Sequence, residues 1–138
     1  MIILSVDYGD ARTGIAVCDA LEMLASPVTV IKETYPPKVA ARIAELAAER
    51  QAELVVVGNP VNMDGSEGDR SAKCRELADL LTADYGLATD LMDERLTTVE
   101  AHRALNETNT RGKARKDVVD AVAAVIILDD YLKKRKAL

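Results

Sequence analysis

The chain has 138 residues, of which 49% are hydrophobic and 30% charged, and its net charge is −5. This length and composition predict one globular domain over residues 1–138 and leave too little chain for two lobes that close on a ligand. No apolar run approaches the roughly 20 residues of a membrane span, and Asp7 ends the first run too early for a signal peptide, so we expect a cytoplasmic protein. The chain has one histidine, which argues against a zinc site or a Ser-His-Asp triad. Its two cysteines, Cys18 and Cys74, are far apart in sequence and are expected to be reduced thiols in the core.

The negative charge is unevenly distributed along the chain. From Arg111 to the C-terminus there are eight basic and four acidic residues, a net charge of +4, so the first 110 residues carry −9. A basic end can bind a polyanion even when the whole protein is acidic. Because the chain has no Phe or Trp and only four Tyr, stacking of unpaired bases on an aromatic platform is a poor description of such binding.

The first 32 residues predict three strands, in segments 2–9, 13–19 and 26–32. All three segments are apolar, and short polar turns separate them. Such short connections are typical of an antiparallel meander.

After Pro36 and Pro37 the spacing of apolar residues changes to that of a helix, and helices then alternate with strands. Apolar strands are predicted at 54–58 and 88–92, and Ser66 is the expected cap of the helix between them. Strands separated by helices run parallel with right-handed crossovers.

The last third of the chain predicts two more helices. Thr97 and Glu100 have the spacing of a capping box, which indicates a short helix. Segment 106–115 is polar, contains glycine and has no periodicity, so a mobile loop is expected. From Lys116 to Tyr131 the sequence predicts an apolar helix packed on the sheet, and the full order is βββ-α-β-α-β-α-α.

Acidic residues stand at the ends of three of these elements. Asp7 ends the first strand, Asp93 and Glu94 follow the fifth, and Asp117 and Asp120 open the last helix. Each position alone has a simpler explanation: a polar strand end, a solvated turn, or an N-cap with a first-turn acid.

Taken together, the same acids predict a metal site. A meander followed by parallel strands brings the ends of the first, fourth and fifth strands together. Two carboxylates about 4 Å apart repel each other by roughly 4 kcal/mol at an effective dielectric near 20, and a divalent cation offsets that repulsion. Carboxylates without His or Cys select Mg²⁺ or Mn²⁺, which assist displacement at phosphorus.

Two other segments are candidates for substrate contact. Loop 58–68 places Asn59 and Asp64 after a parallel strand, where ligands bind in such sheets, although an ordinary β-to-α loop explains the same residues. Segment 106–116 precedes the helix of Asp120, and we predict that it clamps a phosphate backbone; a solvated loop is the alternative. Its basic residues are Arg111, Lys113, Arg115 and Lys116.

Four motifs in order resemble the signatures of the YqgF/RuvX family, whose members are RuvC-like proteins with the RNase H fold. The motifs are VDYGDARTGIAV, VVVGNPVNMDGSEG, MDERLTTVEA and KDVVDAVAAVIILDDYL. The resemblance implies an α/β, RNase H-like fold, with a five-stranded mixed sheet in the order 3-2-1-4-5 flanked by helices. It also implies that Asp7, Glu94 and Asp120 form the catalytic, metal-binding set, and we keep Asp93 and Asp117 as reserves.

The expected function is a metal-dependent endonuclease that hydrolyses phosphodiesters with Mg²⁺ or Mn²⁺, with the 5′ end of precursor 16S rRNA as first-choice substrate. Arg12 and Arg95 join the basic residues of segment 106–116 as expected phosphate contacts. A Holliday-junction resolvase, which would act as a homodimer, remains an alternative function, because the fold alone does not determine the substrate. The expected oligomeric state is therefore a monomer or a homodimer. A non-catalytic RNA-binding assembly factor is a third candidate, whereas a two-lobed ATP-binding protein of the actin and sugar-kinase type would need a longer chain.

Overall fold

The structure, a computed structural model, describes residues 1–62, 64–94 and 113–137, and for residues 113–120 it describes the backbone alone. The elements in chain order are β1 (Ile3–Tyr8), β2 (Thr13–Cys18), β3 (Ala25–Ile31), α1 (Pro36–Arg50), β4 (Leu54–Asn59), α2 (Asp69–Tyr85), β5 (Thr89–Asp93) and α3 (Lys113–Lys136). The strands form a sheet in the order β3-β2-β1-β4-β5. β1, β2 and β3 pair antiparallel, and β4 and β5 run parallel to β1. The predicted meander, parallel strands and strand order are confirmed.

The predicted cap of the second helix is wrong. α2 begins at Asp69, and Gly68 is its N-cap. Ser66 instead donates its backbone N–H and its hydroxyl to Asp64 Oδ1, over 2.9 and 2.6 Å. An acid two residues before a backbone N–H favours this local turn over a helix start.

The predicted start of the last helix is also wrong. α3 begins at Lys113, three residues earlier than expected, so Asp117 lies inside the helix and is not its N-cap. Lys, Ala and Arg are strong helix formers, which explains the earlier start. The last three residues of the loop predicted at 106–115 are therefore helical. The rest of that segment, and the short helix predicted from the Thr97–Glu100 capping box, lie outside the described residues.

Alternate side chains of the sheet face two separate cores. Leu4 and Val57 pack against α1 and α2 on one face. Ile3, Val56 and Met92 pack against α3 on the other. A residue's place in its strand therefore decides which group of helices it meets.

α3 crosses the sheet in the direction opposite to β1. Near the middle of β1, Ser5 Oγ donates to the carbonyl oxygen of Ala124 over 2.7 Å. Further along the helix, Arg135 Nε donates to Glu22 in the β2–β3 turn over 2.8 Å. That turn lies beside Met1, at the start of β1, because the N-terminal ammonium also bonds Glu22. The first turns of α3 consequently lie toward the carboxyl end of β1.

Gly58 allows Glu94 and α3 to lie close to the sheet. A Cβ at this position would stand 2.6 Å from Glu94 Oε1 and 2.7 Å from Ile127 Cδ1. Real Cβ atoms do not make contacts this short, so a side chain here would force Glu94 and Ile127, both buried, to shift.

Glu22 fastens the β2–β3 turn to both ends of the chain. Its φ of 56° lies in the left-handed region, which costs a non-glycine residue roughly 1–2 kcal/mol. Hydrogen bonds from Arg135 and the N-terminal ammonium, with their positive charges, lower the pKa of Glu22 to about 2. These contacts offset the strained backbone.

Across the three described ranges, no helix is long and apolar enough to cross a membrane. The side chains of Cys18 and Cys74 are both buried.

Glu22→Gln should lower the free energy of unfolding at neutral pH, because the amide loses the attraction of Arg135 and the N-terminus. The pKa of Glu22 is lower in the folded protein than its usual 4.5, so the contribution of the carboxylate is complete above that value. It should disappear as the pH falls toward about 2. Urea unfolding of wild type and variant from pH 7 to pH 2 measures the difference. Glu45→Gln, at an exposed position on α1, is the control. A difference in the free energy of unfolding between wild type and Glu22→Gln that does not vary with pH would contradict the assignment.

Gly58→Ala should destabilise the fold by about 1–3 kcal/mol, because the added methyl displaces Glu94 and Ile127. Gly68→Ala is the matched control, since a Cβ there meets nothing within 4 Å. We expect the control to lose less than about 1 kcal/mol by urea denaturation, the cost of the poorer cap, because Gly68 is the N-cap of α2. Equal stability of the two variants would show that the close approach at Gly58 is unimportant.

Candidate active site

The carboxyl ends of β1, β4 and β5 meet at one edge of the sheet, which we call the carboxyl edge and which is bounded by Tyr8, Asn59 and Asp93. Parallel pairing sets this alignment, with Val6 beside Val57 and Asn59 beside Asp93. Ligands in sheets of this kind bind just beyond such ends. The acids predicted after the first and fifth strands are therefore brought to the same edge.

Asp7 lies at this edge on the α3 face of the sheet. It is two residues after Ser5, whose hydroxyl contacts α3, and alternation gives both side chains the same face. Asp7 is only 7% exposed. The turn that follows is tight, because a Cβ on Gly9 would collide with the carbonyl oxygen of Arg12.

Glu94 shares the α3 face with Asp7. Its backbone N–H donates to the carbonyl oxygen of Asn59 over 3.0 Å, which continues the β4–β5 pairing by one residue. Its carboxylate lies over Gly58 beside Ile127, and the residue is 2% exposed. Burial of two acids on one face of the carboxyl edge is unusual in a domain whose other carboxylates are mostly at the surface.

Asp93 is the last residue of β5, and it faces the side of the sheet opposite to that of Glu94. It pairs with Asn59, and the residue two before it, Leu91, packs against the core of α1 and α2. Strand alternation therefore directs Asp93 away from the face that holds Asp7. Of the two adjacent acids, Glu94 is the one that the geometry groups with Asp7.

The third predicted ligand, Asp120, lies in the first half of α3, where the backbone alone is described. Position 120 is one helical turn before Ala124, which sits over the middle of β1. Because α3 runs opposite to β1, this turn lies closer to the carboxyl edge than Ala124 does. Among the described side chains, no three acids, histidines or cysteines form a group that could hold a metal ion.

Asn59, predicted to contact substrate, is held by the protein itself. Its Oδ1 accepts a hydrogen bond from Ser71 Oγ, its Nδ2 donates to Glu67 Oε1 over 3.0 Å, and it is 4% exposed. Glu67 is bound in turn by Arg75 Nε over 2.9 Å, and these contacts lower its pKa to about 2. Because Asn59 also anchors Glu94 through its backbone, we assign it a positioning role at the carboxyl edge.

Sequence reasoning missed this network, although a signal was present. Glu67, Ser71 and Arg75 are spaced by four residues, the spacing of one helix face. The other residue predicted in this loop, Asp64, accepts hydrogen bonds from Ser66 and so shapes the turn.

Basic side chains lie at the carboxyl edge on the β1–β2 turn and on α2. Arg12 is half-buried in the β1–β2 turn at the carboxyl edge. Arg70, which sequence reasoning missed, donates to the carbonyl oxygen of Tyr8 over 2.6 Å and pairs with Asp10 at 3.4 Å. Lys73 lies 3.5 Å from the same carboxylate.

The predicted clamp lies at and before the start of α3. Lys113, Arg115 and Lys116 occupy the first turn of α3, where the backbone alone is described. Arg95 and Arg111 lie outside the described residues.

Two curated relatives resemble the chain along nearly its whole length. One from Agathobacter rectalis is 42% identical over 135 residues, which cover 96% of this chain and 94% of the relative. One from Halothermothrix orenii is 43% identical over 132 residues, with the same shares covered. Each is named "Putative pre-16S rRNA nuclease".

Solved resolvase structures share the fold at low sequence identity. Thermus thermophilus RuvC in complex with a Holliday junction substrate has a TM-score of 0.60 and 16% identity, and the match covers 99% of this chain and 96% of that one. The fowlpox virus Holliday junction resolvase has a TM-score of 0.55 and 13% identity, with coverage of 98% and 99%. The predicted RuvC-like, RNase H-like fold is confirmed.

A sequence model of the RuvX family, described as "Holliday junction resolvase", matches residues 1–134. This match and the relatives above 40% identity show that the chain belongs to the RuvX family.

Proposed function

We propose that the protein is a metal-dependent endonuclease that hydrolyses phosphodiester bonds during maturation of the 5′ end of precursor 16S rRNA. The observation that carries this proposal is the burial of Asp7 and Glu94 on the face of the carboxyl edge that α3 covers. The names of the relatives support the choice of substrate.

The donor set fits a hard divalent cation. Two buried carboxylates on the same face repel each other unless a positive charge lies between them. Oxygen ligands without His or Cys select Mg²⁺ or Mn²⁺, and Asp7, Glu94 and Asp120 would hold the ion or ions. When bound, such ions lower the pKa of water and stabilise charge on the reacting phosphate.

The protein's own residues bind and orient the substrate. A phosphate backbone approaching Asp7 and Glu94 is repelled unless cations lie beside it. Arg12 lies at the carboxyl edge, and the first turn of α3, toward the same edge, carries three basic residues. These side chains hold phosphates without reading sequence, while Asn59 and Gly58 keep Glu94 in place.

A second candidate is a Holliday-junction resolvase, which the description of the family model favours. Resolution of a junction needs two cuts related by symmetry and therefore a homodimer. Cleavage assays on precursor rRNA and on four-way DNA, combined with the mass of the protein at working concentration, separate the two. RNA binding without cleavage in Mg²⁺ and in Mn²⁺ would instead indicate a non-catalytic assembly factor.

Asp7→Asn and Asp120→Asn should each abolish cleavage and weaken Mn²⁺ binding, because each removes a carboxylate ligand. Asp117→Asn, one turn earlier on α3, is the matched control and should cleave at close to the wild-type rate. Cleavage rates and Mn²⁺ titrations by calorimetry measure both effects.

The metal-free Asp7→Asn protein should unfold at the same temperature as wild type or higher, because the change relieves repulsion between buried acids. A large loss of stability in EDTA would show that Asp7 is a structural acid. Loss of cleavage on replacing Asp117, with Asp120→Asn active, would move the ligand by one turn.

Replacing Lys113, Arg115 and Lys116 by Ala should weaken RNA binding at low salt and leave metal binding unchanged. Each lost phosphate contact should flatten the slope of log affinity against log salt by about 0.7–0.9, or roughly 2–3 for all three. Fluorescence anisotropy from 50 to 300 mM KCl measures the slope. The matched control replaces Lys133, Lys134 and Lys136, which carry equal charge at the other end of α3. An equal effect of the two triple variants would mean that net charge, and not a clamp, determines binding.

A further inference from the structure

A cleft of about 570 Å³ opens beside the carboxyl edge, on the face of the sheet opposite Asp7. It lies between the end of β1, the start of α1 and the outer side of α2, and we call it the α2 cleft. Its walls are apolar: Tyr8, Pro36, Pro37, Leu77 and Leu80. This size is in the usual range for small-molecule sites.

Tyr8 connects the cleft to the candidate active site. It directly follows Asp7 on β1, so the two side chains leave the same strand end on opposite faces. Tyr8 packs with the core of α1 and α2, and burial is the main cause that raises its pKa. A nucleic-acid strand that crosses the carboxyl edge at Asp7 therefore passes directly beside the cleft.

The mouth of the cleft carries groups suited to a nucleotide. Asp10, Thr34 and Glu76 offer oxygen acceptors for exocyclic amino groups. Lys73 lines the same mouth and pairs with Asp10, as does Arg70. These two cations offset the negative charge of Asp10 where a phosphate would approach.

We infer that the α2 cleft binds an unpaired nucleobase of the substrate, a nucleotide neighbouring the one that is cut. This inference rests on the proposed nuclease function and adds to it a preference for substrates with an unstacked base. The two prolines, Tyr8 and the two leucines that line the cleft supply apolar surface against which a base packs. The sequence predicted no broad aromatic platform, and this cleft uses one tyrosine and two prolines in its place.

The probe is a short single-stranded RNA with one 2-aminopurine, compared with the same strand carrying an abasic site at that position. Both are titrated into protein in EDTA, so that cleavage does not occur. Wild type should quench the fluorescence of the base and bind the intact strand about 5- to 100-fold more tightly than the abasic one, the usual range for a stacked base.

Leu80→Trp should fill the cleft and reduce affinity for the intact strand to that for the abasic strand. Its affinity for the abasic strand should equal that of wild type. Leu21→Trp is the matched control, because Leu21 is 78% exposed in the β2–β3 turn at the other end of the molecule, and it should behave as wild type. Equal binding of both strands by wild type, or unchanged discrimination in Leu80→Trp, would overturn the inference.

Crosslinking gives a second readout that does not require a variant to fold. A 4-thiouridine at the unpaired position should crosslink to peptides containing Tyr8 or Lys73, and crosslinks confined to other peptides would overturn the inference.

Failure of base binding in the α2 cleft and failure of the proposed nuclease function are distinguishable. Asp7→Asn should still quench 2-aminopurine while cleaving nothing, and Leu80→Trp should still bind Mn²⁺.

Discussion

The close seating of α3 on the sheet is the contact on which the rest of the structure depends. Gly58, which has no side chain, leaves room for Ile127 and Glu94 at this contact, and the hydrogen bond from Ser5 to the carbonyl of Ala124 fixes the helix at one point. The same helix covers Glu94 and carries position 120 toward the carboxyl edge. A single packing contact thus joins the hydrophobic core to the arrangement of the acids.

This arrangement also gives a physical reason for the uneven charge of the chain. Buried carboxylates at the carboxyl edge repel both each other and a phosphate backbone. The +4 charge of the last 28 residues is concentrated at the two ends of α3. At the C-terminal end, Arg135 binds Glu22 and holds the β2–β3 turn, so part of this charge stabilises the fold. We propose that the charge at the other end holds phosphates of the substrate.

The supports of the candidate site come from two layers of the fold. Asn59 is held from the α2 face by Ser71 and Glu67, and its backbone in turn holds Glu94 on the α3 face. The end of β4 therefore connects the hydrogen bonds that hold the Asn59 side chain to the position of Glu94. The same strand-end geometry separates Asp7 from Tyr8, so one short stretch of β1 serves both the acidic site and the α2 cleft.

The sequence alone predicted the five strands and the helices α1, α2 and α3 in their order, because apolar periodicity and turn residues are local signals. It predicted β1 to β5, the strand order through family resemblance, and Asp7 at a strand end. It placed two helix starts wrongly, since the bonds from Ser66 to Asp64 and the helix-forming residues at Lys113 compete with simple capping rules. The family resemblance favoured Glu94 over Asp93, and the tertiary structure gives the physical reason, because the two residues meet opposite faces of the sheet. The tertiary structure alone revealed the hydrogen bonds that hold Asn59, for which the spacing of Glu67, Ser71 and Arg75 was only a partial signal. It also revealed the α2 cleft, which joins residues from distant parts of the chain that no local pattern relates.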